Sequence, residues 1–210
     1  MACKGGKMKK LIFLQGSGIN KEDYGDLPQV VAKQFSADLV SFDAPFTHPK
    51  KKDKFTWFNK IEQYGRRDAV EKEYTYSLRY IKDQINKLIS EGVKPQDIIL
   101  LGHSMGGGMA VHVGLKMELG GVISVVADMP YNLQYKTSSH TPIYWFESAK
   151  DTYIDDNRKQ SYKLLGENPN FHYAKLPNST HCEFRDDLLM VLKDISFHKQ
   201  PQQQFKKERE

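Results

Sequence analysis

Four consecutive apolar residues, Ile98-Ile99-Leu100-Leu101, run directly into Gly102-His103-Ser104-Met105-Gly106-Gly107-Gly108. An apolar run this short reads as a fully buried strand rather than a helix. Residues 109–117 follow with helical character, so the stretch reads as strand, sharp turn, helix. That context turns a Gly-x-Ser-x-Gly pattern into a nucleophile elbow, with Ser104 on a strained turn at the carboxyl end of the sheet. Residues two places either side of the Ser must be small if strand and helix are to approach closely. Gly102 and Gly106 meet that need, and Gly107 and Gly108 extend the tolerance. The helix behind the turn aims N–H groups and a positive dipole end at any negative charge developing beside Ser104. A Gly-rich turn whose Ser merely caps the helix is the plainer reading, and the flanking strand and helix argue against it.

Composition narrows the class. At 210 residues the chain suits one domain with a sizeable core. It has no long apolar run to span a membrane, and the apolar stretch Leu11-Ile12-Phe13-Leu14 is too short for a secretory signal. A cytoplasmic protein is the expectation. Two cysteines, Cys3 and Cys182, are too few for a disulfide framework or a metal cluster. The net charge of +5 owes much to Lys4, Lys7, Lys9 and Lys10 at one end, so the body is close to neutral and nucleic acid is not an expected partner. Residues 1–9 read as a flexible leader, in which Cys3 beside lysines is either an acylation site or part of an unmodified tail. Residues 199–210 read as a charged, Gln-rich tail.

Between those ends, strands alternate with helices. Strands are expected at 10–14, 37–42, 98–101, 121–127, 142–146 and 171–176, and helices at 26–35, 71–91, 109–117, 155–165 and 184–197. Such alternation implies a mainly parallel sheet with helices on both faces, in a single domain over 10–198. Residues 43–67 read as a long irregular stretch whose basic run at 50–54 is a solvated tip. Phe55, Trp57 and Phe58 cluster in it, either walling an acyl pocket near Ser104 or anchoring the loop to the core.

A Ser hydroxyl needs a base to take its proton. Elbow folds supply acid and base from later strand ends, in the order Ser, then Asp or Glu, then His. His172 lies within a predicted strand and His198 beyond the last helix, whereas His181 falls in the loop between them and fits the base. Asp151, just after its strand, is the preferred acid, with Asp128, Asp155 and Asp156 as competitors. Cys182 beside the base reads as incidental. Gln15-Gly16-Ser17-Gly18 follows the first strand, and a turn of this kind brings backbone N–H groups close to a bound group, so the Ser17 N–H is the candidate second oxyanion donor.

With these residues placed, the chain resembles the phospholipase/carboxylesterase family of small α/β-hydrolases, which includes the acyl-protein thioesterases. The resemblance runs from about Leu11 to Phe197. It is carried by the Leu11 to Gly18 segment, Asp43-Ala44-Pro45, Trp57-Phe58, the stretch from Gly92 to Gly107, the Asp151-x-x-Ile154 segment and His181. It implies a single-domain α/β-hydrolase with Ser104 as nucleophile, Asp151 as acid, His181 as base, and an oxyanion hole from the Ser17 and Met105 N–H groups. It implies ester or acyl-thioester substrates, lipids or S-acylated proteins among them, and neither metal nor organic cofactor. The chain departs from the family pattern in having Gln15 for the usual His, Met105 for the usual Gln, Asn59 for the usual Asp, and Asp155 for the usual Pro.

Overall fold

The computed structural model describes residues 9–59, 67–127, 138–153, 165 and 169–197. In chain order its strands are β1 (Lys9–Leu14), β2 (Ala37–Ser41), β3 (Phe46–Thr47), β4 (Phe55–Thr56), β5 (Ile98–His103), β6 (Gly121–Val125), β7 (Ile143–Ser148) and β8 (Phe171–Leu176). The helices are α1 (Leu27–Gln34), α2 (Arg67–Ser90), α3 (Met105–Gly114) and α4 (Arg185–Leu192). Six strands form one sheet in the order β2-β1-β5-β6-β7-β8, and every neighbouring pair is parallel. The chain steps outward from β1 to β2, then crosses back to β5 and proceeds to β8. Strand order therefore reverses between β1 and β5, and in an open parallel sheet a crevice opens at the carboxyl ends of such a pair. The elbow and the Gln15 to Gly18 turn leave the sheet at that crevice.

The alternation of side chains along each strand explains the layers. Leu11 and Phe13 pack with Ile99, Leu101, Ile123 and Val125 on one face, under Leu27 and Val31 of α1 and Leu188 and Leu192 of α4. Ile12 and Leu14 pack with Ile98, Leu100 and Val122 on the other, under Ile81 and Ile85 of α2 and Met109 and Val113 of α3. Along α2, Tyr74, Ile81, Ile85 and Leu88 are buried while Leu78 and Ile89 pack at the margin, which is the expected stripe. Gly92, with φ +95°, turns the chain out of the helix.

Two expectations are corrected. The stretch after β2 is not wholly irregular, because β3 and β4 pair antiparallel, Phe46 with Thr56 and Thr47 with Phe55. The basic run is the tip of this ribbon, and two of its lysines are engaged: Lys54 Nζ with Asp23 at 2.6 Å and Lys51 Nζ with the Gly18 carbonyl at 3.2 Å. The closing helix stops at Leu192 instead of continuing to residue 197. Five residues on, a continued helix would carry Phe197 roughly 140° off the buried stripe. Instead the chain tightens, with Ile195 N–H donating to Leu192 O at 3.2 Å, and Phe197 packs on Phe35 and Tyr144. Most of the expected 155–165 helix, and the leader and tail, lie outside the described residues; Leu165 is helical and buried.

Candidate active site

Ser104 sits between the last residue of β5 and the first of α3, with φ +52° and ψ −122°. A left-handed φ costs an L-residue on the order of 1–3 kcal/mol and persists only where its surroundings hold it. Here Ser104 N–H donates to Val125 O at 2.9 Å, and Gly108 N–H donates to Ser104 O at 3.1 Å. The glycines explain how the turn closes so sharply. A Cβ on Gly102 would stand 2.4 Å from Gly106 O, and one on Gly106 would stand 2.3 Å from both Leu14 O and Gln15 O. Neither leaves room for a methyl group, so the helix rests directly on the end of β1.

His181 lies between β8 and α4, and Asp151 lies after β7. The structure brings both to Ser104: His181 Nε2 is 3.0 Å from Ser104 Oγ, and His181 Nδ1 is 2.9 Å from Asp151 Oδ2. An ionised carboxylate only accepts, so Nδ1 carries the proton and Nε2 is free to accept from the serine hydroxyl. The Asp151 side chain is 1% exposed and that of His181 14%. Tyr153 N–H donates to Asp151 Oδ1 at 2.7 Å, and the Tyr153 ring stacks over His181 with centroids 5.1 Å apart.

The His181 loop is held from below. Ser148 Oγ donates to Ser179 O, and Asp187 of α4 accepts from Ser179 Oγ at 2.8 Å and Asn178 N–H at 2.7 Å. These bonds, the Ser179 hydroxyl first, keep the Asp187 carboxyl below its ordinary range. Of the competing acids, Asp128, Asp155 and Asp156 lie outside the described residues, as does His198. His172 is in β8, stacked on Tyr144, and Cys182 is an exposed free thiol.

On the other side of the crevice, Thr56 ties the two expected oxyanion residues together. Its hydroxyl donates to Phe58 O at 2.9 Å, lies 2.8 Å from Ser17 Oγ and 3.4 Å from Met105 Sδ. Gly18 N–H donates to Phe55 O at 2.8 Å, so the turn after β1 is fastened to β4 by backbone as well. Met105 opens α3, where a backbone N–H has no acceptor one turn earlier. Trp57 is fully buried and Phe58 nearly so, and Trp57 Nε1–H donates to Gln15 O at 2.8 Å. Both aromatics thus anchor the loop, and Ser77 of α2 secures it by donating to Trp57 O.

Sequence reasoning missed Tyr24 and the role of His103. Gly16 N–H donates to Tyr24 Oη at 2.8 Å, Tyr24 Oη is 2.7 Å from His103 Nδ1, and His103 Nε2 is 2.8 Å from His181 O. Burial, and then the neighbouring His181, push the His103 pKa down to about 3, so its ring is neutral. Burial likewise raises the Tyr24 phenol. The one available signal was that His103 occupies the first variable place of the Ser motif; Tyr24, beyond a loop, carried none. Among the described residues, no group of three or more His, Cys, Asp or Glu side chains is placed to hold a metal ion.

The sequence profile of the Phospholipase/Carboxylesterase family matches residues 2–199. The chain belongs to the phospholipase/carboxylesterase family. It is an α/β-hydrolase-fold member of that esterase and thioesterase class. It is 25% identical over 198 residues to acyl-protein thioesterase 1 of Saccharomyces cerevisiae, covering 85% of this chain and 87% of that one. Its fold is similar to that of esterase PE8, with TM-score 0.72, 21% identity, and coverage of 90% and 92% of the two chains. It is also similar to the Bacillus cereus carboxylesterase, with TM-score 0.65, 17% identity, and coverage of 83% and 81%.

Three departures from the phospholipase/carboxylesterase pattern have local partners or packing in the structure. Asn59 donates its amide to Glu73 at 2.9 and 3.1 Å, and its backbone N–H donates to the same carboxylate at 2.8 Å. An Asp there would set carboxylate against carboxylate, so Glu73 of α2 accounts for the Asn. Met105 is 1% exposed and packs into the α2/α3 core, where a Gln would bury an amide. The Gln15 departure has a partner too: its Nε2 donates to Ile19 O at 3.3 Å. Asp155 lies outside the described residues.

Proposed function

We propose that the protein is a serine hydrolase that cleaves carboxylic esters or thioesters through an acyl-enzyme. The observation that carries this reading is the unbroken line from Ser104 Oγ through the His181 ring to Asp151, at 3.0 and 2.9 Å. As Ser104 Oγ attacks the carbonyl carbon, its proton passes to His181 Nε2, and buried Asp151 stabilises the imidazolium. The carbonyl oxygen becomes an oxyanion on the N–H groups of Ser17 and Met105. Collapse breaks the C–O or C–S bond while His181 returns the proton to the leaving oxygen or sulfur. A water molecule, deprotonated by His181, then attacks the acyl-enzyme, releasing the carboxylic acid and regenerating Ser104. Trp57 and Phe58 serve this chemistry by fixing the oxyanion turn through Gln15 and Thr56, since neither has surface to offer a substrate. The yeast relative acts on acyl-proteins by its name and the family's description includes phospholipases, which makes S-acylated proteins and lipid esters the substrate classes to try first.

The test is hydrolysis of p-nitrophenyl esters from acetate to palmitate, comparing wild type with Ser104→Ala and labelling both with a fluorophosphonate probe. A Ser104-dependent rate peaking at medium or long chains supports lipid or acyl-protein substrates, and S-acyl thioesters come next. A peak at acetate moves the reading to small soluble esters. Turnover no greater than in Ser104→Ala, with no labelling, refutes the enzyme and leaves a fold that binds without reacting.

A further inference from the structure

His103 uses both ring nitrogens, and they reach opposite walls of the crevice. A carbonyl oxygen can only accept, so the contact with His181 O requires the proton on Nε2. Nδ1 must then accept, which makes Tyr24 the donor to it and leaves the Tyr24 oxygen to accept from Gly16 N–H. The direction of every bond is fixed from one end to the other. Gly16 precedes Ser17, whose N–H is assigned above to the oxyanion, and His181 is assigned as the base. We propose that Tyr24 and His103 form a positioning relay that sets the separation between the oxyanion turn and the base. The proposal rests on the serine-hydrolase reading.

Packing holds the relay in register. The Tyr24 ring meets Phe13 edge-on at 4.7 Å, and the His103 ring stacks on Phe184 at 4.7 Å, directly before α4. A Cβ on Gly16 would come within 3.0 Å of His103 Nδ1 and 3.2 Å of Tyr24 Oη, so a side chain there would push the turn off its hydrogen bond. Burial keeps both rings uncharged near neutral pH, so the bond directions persist there. Neither ring is assigned a contact with the reacting atoms. Their effect is geometric: loss of the link lets the Ser17 N–H drift relative to the His181 ring, which weakens transition-state binding and leaves substrate binding intact.

Two near-isosteres cut the same link in different ways. Tyr24→Phe deletes the hydroxyl and keeps the ring on Phe13. His103→Gln keeps an N–H donor near the Nε2 position for His181 O and removes the Nδ1 acceptor. Each should lower kcat on a p-nitrophenyl ester by roughly 10- to 100-fold, with KM within about two-fold of wild type. The double variant should be no slower than the worse single, because the second change has nothing left to cut. Labelling of Ser104 by fluorophosphonate should slow in step with kcat. Wild-type kcat in Tyr24→Phe, a rise in KM in place of the fall in kcat, or losses that multiply in the double variant would each overturn the relay. If Tyr24→Phe does not melt cooperatively, His103→Gln carries the test alone. Ser104→Ala run alongside separates the readings: a silent Ser104→Ala with unaffected relay variants removes only the relay, whereas wild-type turnover in Ser104→Ala removes both.

Discussion

A fully buried, neutral His103 makes folding stability depend on pH in a calculable way. Its pKa falls from an ordinary 6.5 to about 3 in the folded chain, because burial disfavours the charged ring. Between those values the unfolded chain binds a proton that the folded chain refuses. Acid therefore favours unfolding, and the penalty grows by about 1.4 kcal/mol for each pH unit below the unfolded pKa. By about pH 5 the loss from this residue reaches about 2 kcal/mol, a large share of a native stability of about 5–15 kcal/mol. Above the unfolded pKa the term vanishes. His112, whose pKa burial lowers to about 4, adds a second loss of the same sign. The perturbation is His103→Gln, which removes one titration and leaves the other. Urea melts of wild type and variant at about pH 7.5, 6 and 5 give the two stability curves. His103→Gln should be the less stable near neutrality, since it breaks the bond from Tyr24, and the gap should close by about 2 kcal/mol on going to pH 5. Parallel curves would refute the reasoning, because they would mean that His103 takes up a proton as readily folded as unfolded.

Two further substitutions probe the close contacts around the site. Gly106→Ala puts a methyl group 2.3 Å from two backbone oxygens at the end of β1, so strand and helix must part by about 1 Å; we expect a loss of about 1–3 kcal/mol in a melt and a fall in kcat on the order of 100-fold, and wild-type kcat would show that the contact is not needed. Asn59→Asp replaces an amide donor by a second carboxylate about 3 Å from Glu73, a repulsion of about 5 kcal/mol at an effective dielectric of about 20, which the pair relieves by binding a proton. The variant should be less stable by about 2–4 kcal/mol near neutrality and should recover towards pH 5, the folded pair holding a proton that the unfolded chain releases; equal losses at both pH values would count against the Asn59–Glu73 contact.

The hydrophobic pattern made much of the fold legible. Short apolar runs alternating with helical stripes are enough to imply a parallel sheet covered on both faces, because each strand needs both faces buried and each helix one. The Ser motif was legible for a steric reason: Gly102 and Gly106 are demanded by contacts of 2.4 and 2.3 Å that no other residue tolerates. His181 and Asp151, which the structure brings to Ser104, were legible as candidates because both follow strand ends, in the chain order Ser, Asp, His.

What the tertiary structure alone decided are the contacts between segments far apart in the chain. Tyr24 and His103 are 79 positions apart, and no local periodicity encodes a hydrogen bond between them. Thr56 meets Ser17 and Met105 only because the β3/β4 ribbon folds over the turn after β1, and Glu73 explains Asn59 only once α2 lies beside that ribbon. The stop of α4 at Leu192 has the same origin: Phe197 finds its place on Phe35 and Tyr144, and that packing outweighs the local preference to continue the helix. Short-range sterics and the period of the apolar residues are written along the chain, whereas the partners of buried polar groups depend on which elements the sheet brings side by side.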